Sequence, residues 1–267
     1  MNYNESEISE RINTWTSNDK QNVWELSGLF EGDIILNNEK ATRNGVIDAA
    51  TRWPNGTIPY LIRDNDFDDE EITKIHEAIK EFHEKTCLLF RNYEEKIDSD
   101  YLIFQSNMSG CWSSVGKQGK SQLINLQTPN CLKHGTIIHE IMHAVGFYHQ
   151  QSTFDRDDYV KIHWENIKNG KEHNFNKYDD KTVTDFNVGY DYSSVMHYSS
   201  RAFSKNDEPT ITPIKHGIEI GQRNEMSEKD QKKLQAMYKN ECNNRIGKNN
   251  DNDSIIDIIN FFPSFLD

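Results

Sequence analysis

The sequence predicts an α+β fold, with strands and helices in its first half and a less regular second half. Strand-like runs and a long amphipathic helix lie between residues 57 and 126, and a short apolar helix follows at Thr136–Phe147. Beyond that helix the chain is rich in Asn, Asp, Lys and Tyr and has few long periodic runs. The length of 267 residues suffices for one good-sized domain with extensions, or for two small domains.

The first 43 residues, here called the amino-terminal segment, are polar and acidic apart from an apolar stretch at Leu26–Leu36. Arg43 ends this segment and offers a cleavage site for a trypsin-like protease. From Asn44 the composition changes. Residues 53–56, with the sequence WPNG, indicate a turn, and we expect a strand at Thr57–Ile62.

A helix is expected at Asp68–Lys85, where apolar residues share one stripe and acidic residues occupy the first turn. The stripe consists of Ile72, Ile75, Ile79 and Phe82. Further strands are expected at Cys87–Arg91, Tyr101–Gln105 and Gln122–Leu126. A late helix at Glu228–Tyr238 follows Ser227, and Asp230 three residues on forms an approximate capping box with it.

The tail, residues 243–267, begins as a polar, Asn-rich linker and ends in the apolar sequence SIIDIINFFPSFL. We expect a flexible or loosely packed tail, with a partner-binding segment as the alternative. No apolar run approaches the roughly 20 residues that cross a bilayer, so we expect no membrane span. Residues 1–15 lack the basic start and apolar core of a signal peptide. We expect the export signal to lie outside the given sequence, with unconventional export as the alternative.

The formal net charge of −13 argues against nucleic-acid binding, because a phosphate backbone requires a basic face. The cysteines are even in number: Cys87, Cys111, Cys131 and Cys242. None forms a CxxC pair, so we expect two disulfides and an oxidising compartment. The sequence alone permits three connectivities for them.

The most informative stretch is His139 to His149, with the sequence HEIMHAVGFYH. On a helix, His139 and His143 project from one face, and Glu140 between them is placed to act on water at a metal. Gly146 lets the chain leave the helix, so that His149 supplies a third nitrogen. Three nitrogen ligands and one open position are typical of a catalytic zinc site. An amphipathic helix with incidental histidines is the alternative, but the glycine and the third histidine favour zinc.

A methionine, Met196, follows the zinc motif in the sequence SVMHY, which is similar to the Met-turn beneath the metal of metzincins. Together with the zinc motif, several other stretches resemble the astacin family. These are Phe30–Ile34, Arg52–Pro54, Gly110–Ser113, Tyr190–Tyr198 and the spacing of the four cysteines. The resemblance covers about residues 26–242.

The resemblance implies a twisted, mostly parallel sheet, an active-site helix and a less regular carboxyl-terminal subdomain. It also implies that His139, His143 and His149 bind one Zn²⁺ and that Glu140 is the general base. Tyr198 would be an additional ligand that swings away to hydrogen-bond the oxyanion. A buried core tyrosine is the alternative for Tyr198.

Disulfides Cys87–Cys242 and Cys111–Cys131 are likewise implied by the resemblance. So is latency, because Asp33 resembles the aspartate with which astacin pro-segments ligate the zinc. A solvated acidic turn is the alternative for Asp33. In many members a glutamate follows the third histidine and helps to anchor the new amino terminus. Gln150 stands there in this chain, so the charge-assisted part of that bond is missing.

We therefore expect a secreted, monomeric zinc endopeptidase that is made as a zymogen and cleaves proteins or peptides. Its parts would be a pro-segment at residues 1–43, a catalytic domain at 44–242 and the tail at 243–267. A trypsin-like protease would activate it near Arg43. The rivals are a non-catalytic binding protein on the same scaffold, against which Glu140 and the complete ligand set argue, and another metzincin branch, which Tyr198 and Asp33 disfavour.

Overall fold

The computed structural model of the protein describes residues 5–36, 49–180 and 183–251. Its helices are α1 (Glu5–Thr14), α2 (Asp69–Lys85), α3 (His134–Ala144), α4 (Glu228–Met237) and α5 (Lys239–Asp251). Its strands are β1 (Thr57–Ile62), β2 (Leu89–Asn92), β3 (Tyr101–Gln105), β4 (Cys111–Ser113), β5 (Ser121–Leu126), β6 (Val160–Ile162) and β7 (Ile211–Pro213). Among these described residues, no helix is long and apolar enough to cross a membrane.

The main sheet has five strands in the order β2-β1-β3-β5-β4. The first four pair in parallel, and β4 pairs antiparallel with β5 at the edge. Helices α2 and α3 contact each other, and α3 also contacts β4 and β5. The predicted mostly parallel sheet with an active-site helix is therefore confirmed, and its edge strand lies beside that helix.

Several predicted elements are present, but their first or last residues differ from the predicted ones. Strand β2 begins at Leu89, not at Cys87, because Thr86 ends α2 by donating its hydroxyl to the Phe82 carbonyl oxygen at 2.6 Å. Helix α3 begins at His134 and ends at Ala144, whose carbonyl oxygen accepts a 2.9 Å hydrogen bond from the Trp53 indole.

The second half is less regular, as predicted. Between α3 and α4 it consists of short 3₁₀ turns and the two-stranded sheet of β6 and β7. A separate apolar cluster packs this half together. Its buried members are Val160, Ile162, Ile167, Phe175, Tyr190, Tyr198, Ala202, Phe203 and Ile211. The second half of the chain is thus held together more by aromatic packing than by hydrogen bonds between strands.

The structure contains the disulfides Cys87–Cys242 and Cys111–Cys131, with the pairing that the resemblance implied. Helix α5 runs across the boundary that the sequence predicted at Cys242. Arg245 in this helix donates to the carbonyl oxygens of Gly56 and Cys87, at 3.2 and 2.6 Å. The disulfide and these bonds hold the helix against the first half. Residues 252–267 and the predicted cleavage region around Arg43 lie outside the described residues.

Helix α4 has a structural role beyond its predicted capping box. Asp230 caps the helix with Ser227, as expected, and is only 2% exposed. Its carboxylate also accepts hydrogen bonds from the Ser194 hydroxyl at 2.6 Å and the Val195 N–H at 2.9 Å. One buried carboxylate therefore joins α4 to the turn that contains Met196.

We expect Asp230→Ala to lower the free energy of unfolding by about 3 kcal/mol, because it removes charge-assisted hydrogen bonds and leaves buried donors unpaired. The control is Glu228→Ala in the same helical turn, where the side chain is 90% exposed and the expected change is about 0.5 kcal/mol or less. Denaturant unfolding of the full chain measures both values. Equal losses for the two variants would contradict the role of Asp230.

Candidate metal centre

Helix α3 presents His139 and His143 four residues apart, and both are fully buried. The chain leaves the helix at Gly146, where the φ of +117° strongly favours glycine. A Cβ atom at this position would lie 2.6 Å from the Cε atom of Met237. The flexible end of Met237 can shift, so the backbone conformation is what favours glycine here, and the turn brings His149 back toward the first two histidines.

The carboxylate of Asp33 lies between the three histidines. Its Oδ2 atom is 3.0 Å from His139 Nε2, and its Oδ1 atom is 3.4 Å from His143 Nε2 and 3.3 Å from His149 Nε2. All four side chains are buried, and one ligand atom from each lies within 4.8 Å of the others. The structure thus brings together the four residues that the sequence named for a latent metal site.

In two histidines the outer ring nitrogen, Nδ1, which is the one not facing Asp33, faces a backbone carbonyl group. His139 Nδ1 lies 2.9 Å from the Val195 carbonyl oxygen, and His143 Nδ1 lies 2.6 Å from that of Phe147. A carbonyl oxygen can only accept, so each Nδ1 donates. In a neutral ring the Nε2 atom then carries the free electron pair, and this atom faces the centre of the cluster.

The third histidine, His149, lies between two carboxylates. Its Nδ1 atom is 2.8 Å from Glu31 Oε2, while Nε2 faces Asp33. Burial alone would lower the pKa of His149, but Asp33 and Glu31 raise it to about 9. Burial alone would raise the pKa of Asp33, but His149 and His143 hold it well below its ordinary value. The two carboxylates therefore favour a positive charge at the centre of the histidine cluster.

Three buried atoms at the centre have no hydrogen-bond partner among the described residues: His143 Nε2, His149 Nε2 and Asp33 Oδ1. Imidazole nitrogens and carboxylate oxygens are ligands that zinc takes in proteins, and four of them complete a tetrahedral set. A zinc ion would engage the unpartnered atoms and would balance the buried carboxylates. The residues present therefore fit one zinc ion.

Glu140 lies in α3 between the two helix histidines and is fully buried. Both of its carboxylate oxygens lack a hydrogen-bond partner within the described part of the chain. Burial raises the pKa of Glu140 well above its ordinary value, and the negative charge of Asp33 raises it further. A carboxylate in this state is available to accept and return a proton at the metal.

Tyr198 is also fully buried, and its ring centroid lies 4.7 Å from that of His149. Its hydroxyl donates to the carbonyl oxygen of Glu31 at 2.5 Å. Met196 lies in the preceding turn, and its carbonyl oxygen accepts a hydrogen bond from the N–H of Gln150. The structure thus places the predicted tyrosine beside the third histidine, with its hydroxyl directed at the amino-terminal segment.

The described part of the amino-terminal segment lies between the edge strand β4 and the metal centre. Ser113 of β4 donates its N–H to the Asp33 carbonyl oxygen at 3.0 Å, and its own carbonyl oxygen accepts from Ile35 at 2.9 Å. Trp24 stacks on the ring of His139 with the centroids 4.1 Å apart. Gly32 has a φ of +101°, and this conformation aims the following Asp33 at the histidines.

Sequence reasoning missed two residues of this centre, Glu31 and Trp24. Glu31 belongs to the same short motif as Gly32 and Asp33, so its position beside them was the available signal. The local pattern does not indicate that its carboxylate meets His149, which lies 118 positions further along the chain. No sequence signal marks Trp24 as a stacking partner.

Gln150, the residue that departs from the family pattern, is 5% exposed. Its side-chain oxygen accepts a 2.6 Å hydrogen bond from the ammonium group of Lys233 on α4. Burial lowers the pKa of Lys233. The amide that replaces a carboxylate here is thus paired with a cation from within the chain.

Comparison with known proteins relates this geometry to a family. Residues 45–239 match the family model described as Astacin, a family of peptidases. Seminal metalloprotease 1 of Drosophila melanogaster is 42% identical over 221 residues, which cover 80% of this chain and 88% of that protein. Meprin A subunit alpha of Rattus norvegicus is 47% identical over 214 residues, which cover 79% of this chain but 27% of that protein.

A solved structure is also similar to this one. It is high choriolytic enzyme 1, a hatching enzyme zinc-protease from the medaka fish Oryzias latipes. The TM-score is 0.65 at 38% sequence identity, over 70% of this chain and 92% of the fish protein. The match to the family model, at residues 45–239, includes the main sheet, helix α3 and the three histidines of the metal centre.

We expect the wild-type chain to hold one zinc ion. The zinc content of His143→Ala should fall well below one per chain, because two nitrogen ligands and a carboxylate hold zinc less well than the full set. Elemental analysis after dialysis against a weak chelator measures the zinc content. The control is His76→Ala, at an exposed histidine of α2, which should keep its zinc. Full zinc content in His143→Ala would contradict the assignment.

Proposed function

Because the chain belongs to the astacin family of zinc peptidases, we propose that it is made as a latent precursor whose amino-terminal segment blocks its own active site. The chain is a zinc metalloendopeptidase, and it uses one zinc ion. The observation that supports latency is the position of Asp33, whose carboxylate lies within 3.4 Å of the Nε2 atoms of all three histidines.

The roles of the site residues follow from their chemistry. His139, His143 and His149 would hold zinc through their Nε2 atoms. When bound there, zinc polarises the scissile carbonyl and lowers the pKa of water to roughly 7. Glu140 takes the proton of the attacking water and passes it to the leaving amine. Tyr198, once released from Glu31, would donate its hydroxyl to the developing oxyanion.

The non-catalytic alternative has no support. A binding protein on this scaffold would have no need for the buried carboxylate of Glu140, whose two oxygens no described protein group engages. A desolvated carboxylate without hydrogen bonds costs stability. Its presence between two metal-facing histidines is explained by proton transfer and by no packing role.

Latency rests on two contacts of the amino-terminal segment. Asp33 takes a ligand position at the centre, and Ile35 pairs with Ser113 on the edge strand β4. We infer that an extended peptide substrate uses that same edge, because an exposed strand edge offers unpaired backbone groups to an extended chain. Substrate and amino-terminal segment would then compete for one edge and one metal position.

Activation would follow cleavage near Arg43 by a trypsin-like protease and produce a new amino terminus near Asn44. The catalytic domain would extend from there to Cys242 and act as a monomer. The two disulfides fit an oxidising compartment, and we propose that the protein is secreted. Its substrates would be proteins or peptides.

We expect Glu140→Gln to lower kcat by roughly 10²–10⁴-fold, because the amide cannot accept the proton of water. Zinc content should stay at one per chain, since Glu140 is not among the residues assigned as ligands. Hydrolysis of a fluorogenic peptide by the activated chain, with elemental analysis of the same samples, measures both. Undiminished turnover would overturn the role of Glu140.

We expect the uncut chain to be inactive on casein, and cleavage by trypsin to produce activity that a zinc chelator abolishes. The control is a chain with Lys40→Gln and Arg43→Gln, which trypsin cannot cut at the predicted site and which should stay inactive. Activity in the uncut chain would contradict latency. Equal activation of the control would place the cleavage elsewhere.

A further inference from the structure

Glu31 contacts the metal centre from the side opposite Asp33. Its side chain is 1% exposed, and one carboxylate oxygen lies 2.8 Å from His149 Nδ1. The other oxygen accepts a 2.7 Å hydrogen bond from the Tyr178 hydroxyl and lies 3.5 Å from the hydroxyl of Ser152. All three groups are donors. Together they form a buried recess that holds one carboxylate.

The backbone of Glu31 is held as firmly as its side chain. Its N–H donates to the side-chain oxygen of Asn174 at 3.1 Å, and its carbonyl oxygen accepts from Tyr198. Its φ of +48° is unusual for a residue other than glycine. A residue persists in this conformation when its surroundings determine it, so these contacts fix the position of the carboxylate.

The three histidines differ in the origin of their outer partners. A metal-binding histidine needs an acceptor for its second ring nitrogen, which sets the tautomer and the ring orientation. For His139 and His143 these acceptors are the carbonyl oxygens of Val195 and Phe147, in the catalytic part of the chain. For His149 the acceptor is Glu31, in the amino-terminal segment.

We propose that Glu31 is a positioning residue for the zinc site, which orients His149 and so makes the latent chain hold zinc more tightly than the activated chain. This inference rests on the proposed latent form. Asp33 then faces Nε2 of the His149 ring, the atom that would bind zinc, and Glu31 contacts Nδ1 on the other side of the ring. Cleavage that frees the active site also removes the outer partner of the third ligand.

The test is zinc loss from the uncut chain to a chromogenic chelator, measured without substrate. We expect Glu31→Gln to speed zinc loss by roughly 10-fold or more, because loss of such an outer partner weakens metal binding by about 10–100-fold. The matched control is Glu25→Gln. Glu25 is another buried carboxylate of the amino-terminal segment, but it bonds Ser199 and no histidine. It should change zinc loss less than about twofold.

A second variant separates the effect of Glu31 on His149 from the binding of the amino-terminal segment as a whole. Tyr178→Phe removes one hydrogen bond to Glu31 and leaves that segment unchanged. It should speed zinc loss in the uncut chain and leave the trypsin-cut chain unchanged, because Glu31 has then departed. Equal zinc loss in wild type and Glu31→Gln, or an equal effect of Tyr178→Phe before and after cutting, would overturn the proposal. Peptidase activity in the uncut chain would contradict latency alone.

Discussion

Buried negative charge beside three histidines is the constraint on which this structure depends. Asp33 and Glu31 place two carboxylates where almost no solvent reaches, on opposite sides of His149. Unpaired charges in such a place cost several kcal/mol each, so a cation must accompany them. A zinc ion meets this requirement, and it also engages the imidazole nitrogens that have no hydrogen-bond partner in the described ranges.

Helix α4 stabilises this centre through two side chains, Asp230 and Lys233, which bind residues that contact or adjoin the histidines. Asp230 binds the Val195 N–H, and the Val195 carbonyl oxygen in turn accepts from His139. Lys233 binds the side chain of Gln150, the residue next to His149. Helix α4 thus contacts the acceptor of His139 and the neighbour of His149 and contributes no ligand itself. The same helix continues toward α5 and its disulfide, so the support is anchored in the first half of the fold.

The amino-terminal segment is an integral part of the hydrophobic core in this form. Ile8, Ile12 and Trp24 are buried in the same apolar cluster as the residues of the main sheet. Asn130 donates to the carbonyl oxygen of Ile12 at 2.7 Å and so satisfies the end of α1. Removal of this segment must therefore uncover apolar surface as well as the metal and the edge of β4. The segment is held in this position by apolar residues buried along its length, and Asp33 and Glu31 add contacts to the three histidines.

The sequence by itself determined the elements and motifs whose causes are local. The apolar stripe and acidic first turn of α2 predict that helix because its hydrogen bonds join residues four apart. The spacing of His139, His143, Gly146 and His149 predicts the ligand set because helix geometry and one glycine turn relate all four. Family resemblance added Asp33 and the disulfide pairs, which the spacing of the cysteines alone left open among three connectivities.

Only the tertiary structure decided which distant groups meet. Glu31 and His149 are 118 residues apart, Gln150 and Lys233 are 83 apart, and Trp24 reaches His139 across most of the first half. Residue type shows that a carboxylate or an ammonium needs a partner, but it does not show which one. That choice is made when packing removes water and leaves each buried polar group the few partners within its reach.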